Sequence, residues 1–211
     1  MYIPPAFAIS DLDTLHTAIE AHGLATMVTM TPDGLIASHL PLLLDRSRGP
    51  NGTLVGHLAR ANPQATRSDA SVPALVMFQG LDGYISPSMY ATKHQTGKAV
   101  PTWNYTAIHA YGSAAFFSDA DRLLDVVTRL TDKHEASRPV PWAVSDAPAD
   151  FIDGMLRAIV GVEIPIDRLE GKAKLSQNRP QVDHAGIVSG LQAQGRADLA
   201  AQVARAIADK A

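Results

Sequence analysis

The apolar positions of this chain alternate with a period of two through most of its first half and recur every three to four residues in much of its second, which predicts strands followed by helices. A helix is expected first: Ser10 with Asp13 three residues on is a variant of the capping box, Leu12, Leu15 and Ile19 share a face, and Gly23 ends it. Residues 24–30 then read as a strand, joined through Thr31-Pro32-Asp33-Gly34 to a second run over 35–44 in which Pro41 implies an edge or a bulge. Further strands are expected over 53–58, 73–79 and 102–117, the last bending at Gly112, and together they would make a meander or barrel. Asp119 is expected to cap a helix with Leu123, Val127 and Leu130 as its stripe, and Asp146 a second one carrying Phe151, Ile152, Met155 and Leu156. Residues 159–169 alternate again as a final strand, and 180–191 with 197–208 read as a helical hairpin broken at Gly195.

Composition adds exclusions. The chain has 211 residues and no cysteine, which removes disulfides, cysteine zinc sites and cysteine nucleophiles and suits a cytoplasmic setting. No segment is long and apolar enough to span a bilayer, so no membrane partner is expected. A net charge of -3 supplies no general attraction to phosphate backbones, so any contact with DNA needs a local basic patch.

Aromatic residues make up 6% of the chain, yet Tyr84, Tyr90, Trp103, Tyr105 and Tyr111 fall within one stretch beside His94, His109 and Asn104. On a strand, Trp103, Tyr105, His109 and Tyr111 share a face that offers flat surface to a planar ligand, or serve as core aromatics with satisfied polar tips. Three other segments carry donors. In Val55 to Pro63, His57 ends a strand, and Arg60 with Asn62 as N-cap and Pro63 after it reads as an anion site or as an ordinary capped helix. Ser38 and His39 face opposite ways on their strand, and His39 with His57 would place two imidazoles at one rim. The run Gly171 to Arg179 combines Lys172 and Lys174 with Ser176, Gln177 and Asn178, which reads as an anion-friendly surface or a solvated strand end. No paired histidine spacing points to a metal, and no nucleotide-binding glycine fingerprint or catalytic triad order is present.

The segments MYIPPAF, SHLPLLL, GHLARANPQ, YISPSMY, VPTWNY and GKAKLSQNRP, in that order, closely resemble the PaiB family of FMN-binding negative transcriptional regulators. The resemblance implies an α+β, mainly β fold, a split β-barrel like that of pyridoxamine-phosphate oxidases with peripheral helices. It implies an FMN-binding domain over 1–176, a C-terminal helical appendage over 177–211, and a homodimer with FMN at the subunit interface. By that analogy the phosphate lies near His39, His57, Arg60 and Asn62, with Ser38 a further cofactor contact, Trp103, Asn104 and Tyr105 flank the ring, and Lys174 and Gln177 come from the second subunit. The sequence departs from the family at Met89 and Ala173, where tryptophan is usual. The implied function is repression of sporulation or protease genes, direct or indirect. A flavin-dependent oxidoreductase, a haem-degrading split-barrel enzyme and a flavin-free ligand-binding dimer stay open beside it. Homodimerisation is also expected from apolar runs such as Leu40 to Leu44, which one small barrel need not cover.

Overall fold

The computed structural model describes residues 1–209 and resolves them into two compact units. One gathers residues 1–10, 79–108 and the chain from 170 onward; the other gathers 11–78 and 109–169. They are called here the terminal unit and the middle unit. The boundary expected at 176–177 falls inside the terminal unit. Among the described residues ten strands form two sheets, one ordered β1-β10-β7-β6-β2-β3 and one ordered β4-β5-β9-β8. In chain order the strands are β1 (Ala8–Ile9), β2 (Ala25–Thr31), β3 (Gly34–Leu40), β4 (Leu42–Asp45), β5 (Thr53–Ala59), β6 (Ala74–Ile85), β7 (Thr102–Gly112), β8 (Ala115–Phe117), β9 (Ile159–Pro165) and β10 (Arg168–Lys174).

In the middle unit, α1 (Leu12–Ala21) is capped by Asp11, whose carboxylate accepts from the Thr14 N–H at 2.8 Å. Asp11 thus takes the place expected for Ser10. The helix buries Leu15, His16 and Ile19 while Leu12 is exposed, because the His16 imidazole is held at the Asn51 carbonyl, 2.9 Å away. The β2–β3 hairpin forms with the expected turn, Thr31 opposite Gly34. Pro41, which has no N–H to give a ladder, divides the next run into two strands that pair in different sheets: Leu40 lies opposite Ala25, and Leu42 opposite Gly56. A Cβ at position 56 would meet the Pro41 carbonyl oxygen at 2.6 Å, so only glycine permits this close crossing. Leu40, Leu42 and Leu43 are all buried within the chain, which removes the expected argument for a dimer from that run.

The long run over 102–117 divides in the same way at Gly112, where any side chain would strike the Pro165 carbonyl. Asp119 caps α4 (Ala120–Glu135) as expected, accepting from the Arg122 N–H at 2.9 Å. Its buried stripe is Leu123, Val126 and Leu130, so Val126 displaces Val127, and Leu43, Val55 and Phe117 pack with it. Asp146 closes a 3-10 turn by accepting from the Ala143 N–H at 2.9 Å, and α5 (Ala149–Arg157) begins only after Pro148. Of the four apolar residues expected to line that helix only Leu156 is buried, whereas Phe151 and Met155 are exposed.

The single strand expected over 159–169 is two, β9 ending at Pro165 and β10 beginning at Arg168 in the other sheet, and in the terminal unit β1 pairs with β10 through Ala8 opposite Lys172. This unit also holds the short α3 (Ala91–Thr96), and its helices α6 (Gln181–Ala193) and α7 (Ala197–Ala208) meet at Gly195, whose φ of +72° is the left-handed conformation glycine adopts without strain. They share a core of Ile85, Met89, Tyr90, Leu175, Ile187, Leu191, Leu199 and Val203. Met89 is therefore a helix-packing residue in this chain, lying over Gly190 so closely that a Cβ there would sit 2.6 Å from its Cγ.

Candidate functional site

Strand β7 carries the aromatic face that the alternation predicts. In the terminal unit Asn104 and Ile108 are buried while Trp103 is 54% exposed and Tyr105 half-buried. Tyr84 meets Trp103 edge to face, with ring centroids 5.9 Å apart and an interplanar angle of 68°. This is a geometry aromatic quadrupoles favour, and Trp103 stays more than half exposed in it. The Lys172 ammonium lies 5.0 Å from the Tyr105 ring and donates to the Tyr2 carbonyl at 3.1 Å, so a buried cation is held by π faces and a carbonyl. Lys174 donates to the Thr102 hydroxyl and, at 3.0 Å, to the Trp103 carbonyl. Burial lowers its pKa, and the charges of Lys172 and Arg179 act in the same direction.

Asn104 differs from its neighbours on β7 because it points to the buried side. Its Oδ1 accepts from the Ser176 hydroxyl at 3.0 Å, and its Nδ2 donates to nothing among the described residues. Gln177 is tied at both ends of its side chain, accepting from the Leu175 N–H at 2.7 Å and donating to the Ala173 carbonyl at 2.6 Å. Together these bonds fix the end of β10.

The middle unit brings Ser38 and Asn62 together: the Asn62 amide donates to the Ser38 hydroxyl at 2.8 Å, and its Oδ1 accepts from the Gln64 N–H at 2.9 Å. Asn62 thus caps as expected, but the helix after it, α2 (Gln64–Arg67), is a single turn and contributes little dipole. Arg60 directs Nε to the Arg157 carbonyl at 2.6 Å, Nη2 to the Ile159 carbonyl at 2.7 Å and Nη1 to the Ser118 hydroxyl at 3.1 Å. His39 is exposed on β3 opposite Thr26, and His57 is half-buried on β5 opposite Gly161, so the two imidazoles belong to different sheets. The His57 Nδ1 is buried without a partner among the described residues, and desolvation lowers the ring's pKa, which keeps it neutral near pH 7.

Two features escaped the sequence pattern. Gln64 is fully buried and donates through Nε2 to the carbonyls of Met27 (3.2 Å) and Ile36 (3.3 Å) and the Thr29 hydroxyl (3.0 Å), locking the hairpin from beneath. Only its place two residues after the cap hinted at this. Thr102, Asn104, Lys174, Ser176, Asn178 and Arg179 line a cavity of about 70 Å³, and no periodicity joins residues so far apart in sequence. A larger cavity of about 650 Å³ lies against α4 and α5 among Leu124, Val144 and Ile152, and it contains none of the expected site residues.

Residues 1–168 match the family described as "Putative FMN-binding domain". The chain is 33% identical over 210 residues to the "Protease synthase and sporulation protein PAI 2" of Bacillus subtilis, covering all of this chain and 98% of the relative. It is 35% identical to an uncharacterised protein of Emericella nidulans, covering 91% of this chain and 90% of that one. Among solved structures, a conserved hypothetical protein of Mycobacterium tuberculosis matches with a TM-score of 0.59 at 12% identity, over 86% of this chain and 95% of that one. The FAD and haem binding protein of Mycobacterium smegmatis matches with a TM-score of 0.57 at 18% identity, over 79% of this chain and 73% of that one. The fold is of the expected α+β, split-barrel class, with antiparallel sheets and helix and strand in comparable shares.

Proposed function

The chain belongs to this FMN-binding family, and from that premise we propose that it is a flavin-carrying regulator, acting in the kind of process that the name of its Bacillus relative denotes. Its cofactor is FMN. The residues of the terminal unit fit that group. Trp103 and Tyr84 offer an exposed aromatic surface, while Lys172 and Lys174 are cations with no carboxylate partner among the described residues. When bound, FMN supplies reversible electron and hydride transfer, and the protein's part is to bind, orient and shield.

In this reading Trp103 and Tyr105 hold the ring by stacking, and Lys174 and Gln177 frame the end of β10 beside them. Of the middle-unit residues expected at the cofactor, Ser38, Arg60 and Asn62 are engaged within the fold, and His39 and His57 are the proposed contacts. Of the two, His57 is the better disposed to bond a ligand, since its buried Nδ1 lacks a partner among the described residues. The proposed protein acts as a homodimer in the cytoplasm, a reading supported by the family resemblance. Regulation through direct DNA contact is not favoured by a net charge of -3. Among the described residues no helix is long and apolar enough to cross a membrane.

The exposure of Trp103 beside Tyr84 carries the proposal. Its test is the visible spectrum of the purified chain, followed by FMN titration of any flavin-free fraction. Protein that neither carries FMN nor takes it up would end the reading. Steady-state oxidation of NAD(P)H by the FMN-loaded protein would instead place it among flavin-dependent oxidoreductases.

A further inference from the structure

The cavity lined by Thr102, Asn104, Lys174, Ser176, Asn178 and Arg179 combines three features that a structural role leaves unexplained. First, Asn104 has no exposed surface, yet its Nδ2 has no acceptor, while the Ser176 hydroxyl occupies its Oδ1 and fixes which way the amide points. A buried unpaired amide is costly, so natural folds rarely keep one without use. Second, Ser176 is the only non-glycine residue among the described residues with positive φ, at 63°, and it is itself buried. Strain of this kind persists where the surroundings enforce it, and such positions gather at binding sites. Third, the cavity holds two cations without a carboxylate. Arg179 is anchored by the Tyr90 ring, 4.4 Å from its guanidinium carbon, and uses Nη2 on the Tyr90 hydroxyl (3.2 Å) and the Val100 carbonyl (3.4 Å), leaving Nε and Nη1 without a partner among the described residues. Lys174 keeps one of its three ammonium protons beyond those given to Thr102 and Trp103.

We infer that this pocket binds an oxyanion, a phosphate or carboxylate group, through the Asn104 amide, Arg179 and Lys174. The free groups of Asn104, Arg179 and Lys174 are all donors, and partial burial strengthens the attraction of the two cations for a negative guest. The volume of about 70 Å³ corresponds to about two waters and admits a terminal anionic group, whereas a ring system needs several times more. Asn104 thereby leaves the ring-flanking role expected of it, since it faces away from Trp103 and Tyr105. The pocket stands on the terminal unit alone. Identifying its guest with the phosphate of FMN rests on the function proposed above.

The test is a calorimetric titration of inorganic phosphate into the purified chain, FMN-loaded and flavin-stripped, with chloride at equal ionic strength as control. Asn104→Asp keeps the side-chain shape and the Ser176 bond but turns the donor into a negative acceptor, and Arg179→Gln removes a charge. Saturable phosphate binding is expected in the stripped wild type, weakened at least about tenfold in both variants. If the guest is the phosphate of FMN, loading with FMN abolishes phosphate binding, and both variants lose affinity for FMN but not for riboflavin. If it belongs to another ligand, phosphate binds the loaded protein as well and FMN affinity is unchanged. Failure to take up FMN together with intact phosphate binding would remove the FMN reading and leave the pocket. The inference is overturned if the wild type shows no saturable phosphate binding in either form, a result that does not depend on the variants folding. It is also overturned if folded variants bind phosphate as the wild type does.

Discussion

The turn around Arg60 and the pocket around Asn104 are built from the same parts, an arginine, an asparagine and serines, and use them in opposite ways. At the first, every side chain is engaged: Arg60 holds two backbone carbonyls and Ser118, and Asn62 holds Ser38 while capping Gln64. At the second, the asparagine amide and part of the arginine are unpaired, and the backbone at Ser176 is strained. Donors directed at carbonyls stabilise the fold, whereas donors left without acceptors in a buried place await a ligand. Residue type alone makes the two sites look alike.

If the middle unit uses its polar groups for stability, the largest loss should come at Gln64, a fully buried side chain whose Nε2 reaches three acceptors while its Oε1 accepts nothing among the described residues. Gln64→Leu leaves two carbonyls and the Thr29 hydroxyl without their donor and is expected to cost about 2–3 kcal/mol, read from urea unfolding. A change below the error of that experiment would show that the hairpin does not depend on the amide. Arg60→Met keeps the aliphatic stem and removes the bonds to Arg157 and Ile159. Because the arginine is exposed and water can replace it, the expected loss is about 1 kcal/mol, with the preference for FMN over riboflavin unchanged. Loss of that preference in a folded Arg60→Met protein would return the phosphate to the turn and reverse the comparison.

The comparison also explains what could be read in advance. The hairpin at Thr31 to Gly34, the Asp119 cap, the exposed face of β7 and the C-terminal helical pair were legible because turn chemistry and periodicity are local. The change of sheet at Pro41 was not, since proline reports a break in a ladder and not the destination of the chain beyond it. Phe151 and Met155 were assigned to a buried stripe because hydrophobicity does not reveal which helical face has a neighbour. Asn104 was grouped with Trp103 and Tyr105 by adjacency, although the same alternation places it on the opposite face. Its partnership with Ser176 spans 72 residues of sequence and leaves no local trace.

A smaller effect should appear on acidification. Burial lowers the pKa of His57, and burial with the charge of Arg168 lowers that of His109. The unfolded chain therefore binds protons more readily at both rings. The stability associated with the neutral rings is complete above the unfolded value near 6.5 and falls as pH drops from there toward the folded values. His57→Gln, which removes one of the two groups, should reduce the fall in unfolding free energy between pH 7.5 and pH 5.5, values on either side of that point (about one unit each way). An unaltered slope would mean that His57 does not titrate differently in the folded state.

The claim that a flavin lies on the exposed face of β7 is tested most directly by flavin-fluorescence titration of Trp103→Ala. Loss of a stacked aromatic partner is expected to cost about 1–2 kcal/mol, so FMN and riboflavin should both bind about five- to thirtyfold more weakly, by similar factors, with less quenching of the bound flavin. Unchanged affinity and quenching for both flavins in the folded variant would show that the ring lies elsewhere and that the exposure of Trp103 serves another purpose.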